Sequence, residues 1–259
     1  MLDIQLQLPK FQTEIDQVGI SDFLIPIKVV SNFNVLHTIA SFSFSANLAK
    51  EEKGTHMSRL ILILHKFQDQ IFDYDTLLKI SNEAKVWLKA SCSFLSFDFD
   101  YFVKKQSPVT KIDNLVNYKA SLRVKNNHAT RIFIKVKVPI TAVCPCSKEI
   151  SDDGAHNQRG IVTIEAEITG KKGIWLDQLI KIAELSGSSE LYSVLKREDE
   201  KFVTEKAYEN AVFVEDIVRA VDDGLTKLSL ENYSVICKNY ESIHNHNAFA
   251  KIIKGDICI

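Results

Sequence analysis

Leu115–Val138 reads LVNYKASLRVKNNHATRIFIKVKV, and its alternation decides the fold class. Val116, Tyr118, Ala120, Leu122 and Val124 fall on one face, with Asn117, Lys119, Ser121 and Arg123 on the other. After the polar Lys125–Asn126–Asn127–His128 the pattern resumes, setting Ile132, Ile134, Val136 and Val138 against Phe133, Lys135 and Lys137. A period of two with one wet face marks antiparallel strands, because successive Cβ atoms leave opposite sides of a pleated sheet. The stretch therefore predicts two strands joined by a polar turn.

The same alternation recurs on both sides. His37–Leu48 sets Ala40, Phe42, Phe44, Ala46 and Leu48 against Ser41, Ser43 and Ser45. Phe94–Val103 sets Leu95, Phe97, Phe99, Tyr101 and Val103 against Ser96, Asp98 and Asp100. Downstream, Ile161–Thr169 alternates Val162, Ile164, Ala166 and Ile168 with Thr163, Glu165 and Glu167, and a last strand is expected over about 233–240. Apolar residues at helical spacing lie between the strands. They are Leu77, Ile80, Ala84 and Trp87 within Tyr74–Leu88, then Leu176, Leu179, Ile180 and Ala183 from about Trp175, then Val214, Ile217, Val218, Val221 and Leu225. Two strands, helices, then strands, twice over, predict tandem copies of one α+β unit, residues 1–127 and 128–259, with antiparallel sheets and helices on one face. The repeat is one of architecture, with little identity of residues.

Bulk properties narrow the function. The 259 residues carry 32 Lys and Arg against 33 Asp and Glu, a formal net charge of −1, so no whole-chain attraction to nucleic acid or anionic membrane is expected. There is no apolar run of about 18 residues for a membrane span, and the start MLDIQLQLPKFQTEIDQ has no signal-peptide pattern. Five cysteines without scaffold spacing suit a reducing cytoplasm. Cys92, Cys237 and Cys258 read as ordinary thiols.

Pro139–Gly160, PITAVCPCSKEISDDGAHNQRG, carries the chemistry. It reads as a long loop, beginning where Pro139 ends one strand and stopping where Arg159–Gly160 opens the next. Cys144 and Cys146 flank a rigid proline, and His156 follows. A closed structural zinc site needs four protein ligands, and these three fall short. An incomplete set suits a catalytic metal that keeps a position for water, and two inert buried cysteines are the alternative. The acids of Leu195–Val218 read mostly as a solvated helical face. Glu215, beside the apolar stripe, could accept two donors of one ligand. His244 and His246, taken as i and i+2 at the end of the last strand, point the same way and suit proton transfer. No G-x-G-x-x-G, Walker loop, G-x-S-x-G or H-E-x-x-H is present.

PCSKEISDDGAHNQRG, KREDEKFVTEKAYENAVFVED and ESIHNHNAFAKI, with KGTHMSR and IDQVGISDFLIPI upstream, are together similar to the type IB GTP cyclohydrolases. The resemblance runs through nearly the whole chain, in order. It implies two tunnelling-fold units per chain, assembly into a multimeric barrel, usually a homotetramer, and active sites at subunit interfaces. It also implies conversion of GTP and water to 7,8-dihydroneopterin triphosphate and formate, the first step of tetrahydrofolate biosynthesis. A cyclic dihydroneopterin phosphate is the alternative product, and a non-catalytic metal-binding module the alternative class. Carried over by residue, one divalent zinc, manganese or iron ion falls to Cys144, His156 and Glu200. Glu215 would hold the guanine edge, with Lys148, Arg159 and Arg59 on the triphosphate. Cys146, Glu149, His244 and His246 would be catalytic.

Overall fold

The computed structural model describes residues 8–31, 34–88, 90–170 and 174–257. Cys258 lies outside them. In chain order the elements are β1 (Ile15–Ser31), β2 (Asn34–Leu48), α1 (Met57–Phe67), α2 (Tyr74–Leu88), β3 (Ser93–Gln106) and β4 (Asp113–Asn126). Then come β5 (Thr130–Val143), α3 (Pro145–Ile150), β6 (Asn157–Ile168), α4 (Leu176–Ser186), α5 (Arg197–Glu209), α6 (Val214–Lys227), β7 (Tyr233–Asn239) and β8 (Ala248–Lys254). The architecture is α+β. The eight strands form one antiparallel sheet whose spatial order equals their chain order.

The turn between β4 and β5 closes with Asn126 opposite Thr130, so both strands belong to the same sheet across the join. Residues on the apolar side of each alternation are buried, and they meet the helices in one continuous core. Phe97 shows the packing: its ring lies 4.8 Å from Phe42 and 5.2 Å from Phe72. Burying such a ring contributes roughly 1.5–3 kcal/mol. In the C-terminal half α4 packs on β5 and β6, and α6 packs on β7, β8 and α4. This stack holds the strand ends on which the candidate site is built.

Four details differ from expectation. The long strand β1 has no clean alternation because register irregularities between Ile15 and Val18, and between Ile20 and Phe23, break the period. Pro139 does not end β5 but pairs with Ile161 inside it. Past Lys137, β5 has no register partner on β4, so a residue without an N–H is tolerated there. The stretch 139–160 is therefore mostly ordered strand plus α3, and not a long loop. The last strand is β8, not β7. His244 and His246 consequently occupy the connection between these two strands rather than a strand end.

Candidate active site

Cys144 follows β5 with extended backbone and serves as the N-cap of α3, whose first position is Pro145. Proline suits that position because its fixed φ is already helical and its missing N–H has no helical partner to lose. The turn is stitched to the start of β6. The Cys144 N–H donates to the His156 carbonyl (3.1 Å), and the His156 N–H donates to Ser147 Oγ (3.1 Å). Gly154 closes the intervening bend at φ 86°, a backbone state that disfavours any side chain. On the neighbouring strand pair, Gly160 faces Asn239, and a Cβ there would stand 2.6 Å from Asn239 Oδ1. Glycine therefore lets β7 bring Asn239 against β6.

These contacts frame a cleft of about 310 Å³. Cys144 and His156 line one side of it, and Glu215, in the first turn of α6, lines another. His244 and His246 come from the β7–β8 connection, their rings stacked 5.0 Å apart at 14°. Three separate segments thus bring five of the predicted residues together. Cys144 is half-buried, while Cys146, one turn position on, is exposed and outside the lining.

The other predicted residues stand elsewhere in the chain. Glu149 is exposed on α3, and Arg159 is exposed on β6 between the buried Gln158 and Gly160. Arg59, on α1, donates to the Trp87 carbonyl at 3.2 Å. Lys148 donates to the carbonyls of Tyr208 (2.6 Å) and Glu209 (3.3 Å), closing the C-terminal end of α5, and lies 4.6 Å from the Tyr208 ring. Glu200 is in the first turn of α5, in an ion pair with Arg197 at 3.1 Å.

Glu200 is placed by its neighbour. Asp199 is 0% exposed and accepts from the Val109 and Thr110 N–H groups (2.8 and 2.9 Å), the Thr110 hydroxyl (2.6 Å) and the Lys196 N–H (2.9 Å). It caps α5 and ties it to the β3–β4 turn of the other half. Burial by itself would push this carboxyl up, but the Thr110 hydroxyl and the backbone donors outweigh it and hold it well below its ordinary value of 3.8. A depressed folded value means that the contribution to stability is complete above the ordinary carboxylate range and is lost as pH falls through the folded value. Asp199→Ala is expected to lower Tm by roughly 5 °C or more at neutral pH. The gap to the parent chain should close as melting is repeated below pH 3.8; a gap independent of pH would contradict the assignment.

Sequence reasoning missed Gln158, Asn239 and Glu241, which also line the cleft. Gln158 had a legible signal, since it stands two residues after His156 and β-strand alternation puts the two on one side. Asn239 and Glu241 had none, because their place depends on pairing between β6 and β7. Cys237 is not a reactive group: burial pushes its thiol up to about 12.

As metal donors, a thiolate and an imidazole suit a borderline-soft divalent cation. The His156 ring has Nδ1 at 2.9 Å from Gln158 Oε1, which leaves Nε2 for ligation. Among the described residues, no three His, Cys, Asp or Glu side chains of one chain gather closely enough to hold a metal by themselves.

A family model described as type I GTP cyclohydrolase folE2 matches residues 1–250. The curated relatives include proteins named GTP cyclohydrolase FolE2. That of Syntrophotalea carbinolica is 43% identical over 97% of this chain and 94% of its own. That of Syntrophobacter fumaroxidans is 42% identical over 97% and 98%. Among solved structures the chain is similar to uricase from Arthrobacter globiformis, with TM-score 0.52, 9% identity, and 92% and 93% of the two chains covered. A hyperthermostable mutant of Bacillus sp. TB-90 urate oxidase gives TM-score 0.52 at 10% identity, covering 93% and 100%. At such identity the likeness concerns the fold alone, the tunnelling fold.

Proposed function

The chain belongs to the type I GTP cyclohydrolase family, and from that premise we propose that it is a metal-dependent GTP cyclohydrolase. It converts GTP and water to 7,8-dihydroneopterin triphosphate and formate. The observation that carries this reading is the convergence of Cys144, His156, Glu215, His244 and His246 on one cleft from three segments of the chain.

The residues divide the work by chemistry. Cys144 and His156 would hold a zinc, manganese or iron ion, with Glu200 as the third ligand. A divalent cation there would supply Lewis acidity for the addition of water at C8 of the imidazole ring. Glu215 accepts from N1–H and the exocyclic amine of guanine together, which orients the base and selects it over adenine. Phe213, exposed in the cleft lining, offers a ring face for the base. His244 and His246 carry protons between the opening ring and solvent. Cys146 and Glu149 support the reaction from α3, and Lys148, Arg159 and Arg59 are the basic groups for the triphosphate.

One chain brings only part of this set together, and the proposal therefore includes self-association, as a homotetramer whose interfaces complete the cleft. Residues 1–127 and 128–259 are read as its two units per chain. The cytoplasm is the proposed location; no helix of the described residues is long and apolar enough to cross a membrane.

The test is direct. Protein stripped of metal and reloaded with zinc, manganese or iron is given GTP, and formate and oxidised pterin are measured. Formate and a triphosphate product are expected with at least one metal. No formate with any of them would refute the activity, and a cyclic phosphate would correct the product.

A further inference from the structure

We infer that Gln158 is a positioning residue for the metal site: it holds the His156 ring in the Nδ1–H tautomer, so that ligation takes place through Nε2. The inference rests on the reading of His156 as a metal ligand and adds the group that makes it one.

His156 has four polar groups, and three are committed. Its N–H donates to Ser147 Oγ (3.1 Å), its carbonyl accepts from the Cys144 N–H (3.1 Å), and Nδ1 faces Gln158 Oε1 (2.9 Å). Among the described residues, only Nε2 has no partner. The backbone contacts place the residue, but they do not choose a tautomer, since neither touches the ring. That choice falls to Gln158. With its amide oxygen toward the ring, Gln158 accepts, and the ring nitrogen facing it carries the proton. The lone pair then resides on Nε2, the form a metal needs.

Gln158 is well built for this. It is 9% exposed and sits within the β5–β6 ladder opposite Ala142, so its position is set by the sheet rather than by a mobile loop. It is also neutral. It orients the imidazole without adding a negative charge to the cleft that Cys144 also lines. A carboxylate at the same place would accept the same hydrogen bond, whereas an aliphatic side chain of similar length would leave both tautomers accessible. The metal-free ring could then carry its proton on Nε2, or turn.

The test compares Gln158→Met and Gln158→Glu with the parent protein. Chelator competition with zinc and with manganese gives the metal Kd. Nitrogen-15 NMR of the histidine rings in the metal-free protein gives the tautomer. Gln158→Met is expected to weaken metal binding about 10–100-fold and to shift His156 from the Nδ1–H form toward a mixture. Gln158→Glu is expected to keep the Nδ1–H form and to restore most of the affinity, which separates orientation from a mere loss of packing. An unchanged Kd and tautomer in Gln158→Met would overturn the inference. So would weakened binding with an unchanged tautomer, or failure of Gln158→Glu to rescue. His156→Ala is the control for the premise. If it binds metal as the parent does, the ligand reading falls and this inference with it; if it loses metal while Gln158→Met does not, only the role of Gln158 fails.

Discussion

Cys144→Ala is expected to release formate from GTP at least about 10³-fold more slowly than the parent chain, and to lose bound metal at the same time. The structure makes this a clean substitution. Cys144 is the N-cap of α3 but makes no side-chain capping hydrogen bond, so removing its Sγ leaves the helix start intact. Its backbone bond to His156 does not involve the side chain and persists in alanine. The variant should therefore fold and assemble, with a Tm within a few degrees of the parent. Metal content by elemental analysis and formate release are the two readings to take together. Metal retained at parental affinity would make Cys144 a structural thiol and revive the module without catalytic activity.

Glu215→Gln tests the other side of the cleft. It should keep its metal and lose roughly 10²–10⁴-fold in kcat/KM for GTP, which corresponds to two hydrogen bonds to a charged acceptor. The exchange is nearly isosteric, but it replaces one of two accepting oxygens by an NH₂ that meets a donor of the guanine edge. Glu215 lies exposed in the first turn of α6, and the core contacts of that helix are made by Val214, Ile217, Val218 and Val221. Little stability should be lost beyond the small favourable interaction of a carboxylate with a helix N-terminus, on the order of 0.3–1 kcal/mol. Parental kcat/KM would remove Glu215 from the substrate site, whereas lost metal would place it among the ligands.

Much of the sheet was legible because its alternation is strict where strands have one wet face. Phe42 and Phe44 in β2, Phe97 and Phe99 in β3, and Val162 and Ile164 in β6 are all buried, as their period of two requires. The pattern fails where the backbone is irregular or short. The bulged β1 and the seven-residue β8 escaped for these reasons. The acids of α5 read mostly as a solvated face, and yet Asp199 is buried among four donors. Charge alone cannot tell a solvated carboxylate from one whose donors come from a turn some ninety residues earlier.

By itself, the sequence determined the α+β class, the strand faces, the motifs that tie the chain to its family and the residue types able to bind a metal or move a proton. These are local properties, written in neighbours two to four positions apart. Only the tertiary structure decided which of them meet. It set Cys144 and not Cys146 in the cleft, put Gln158 beside the His156 ring, and brought Asn239 to Gly160 through the β6–β7 register. The physical reason is that a cleft is made by segments far apart in the chain, and their meeting depends on sheet register and helix packing, which no short-range period encodes.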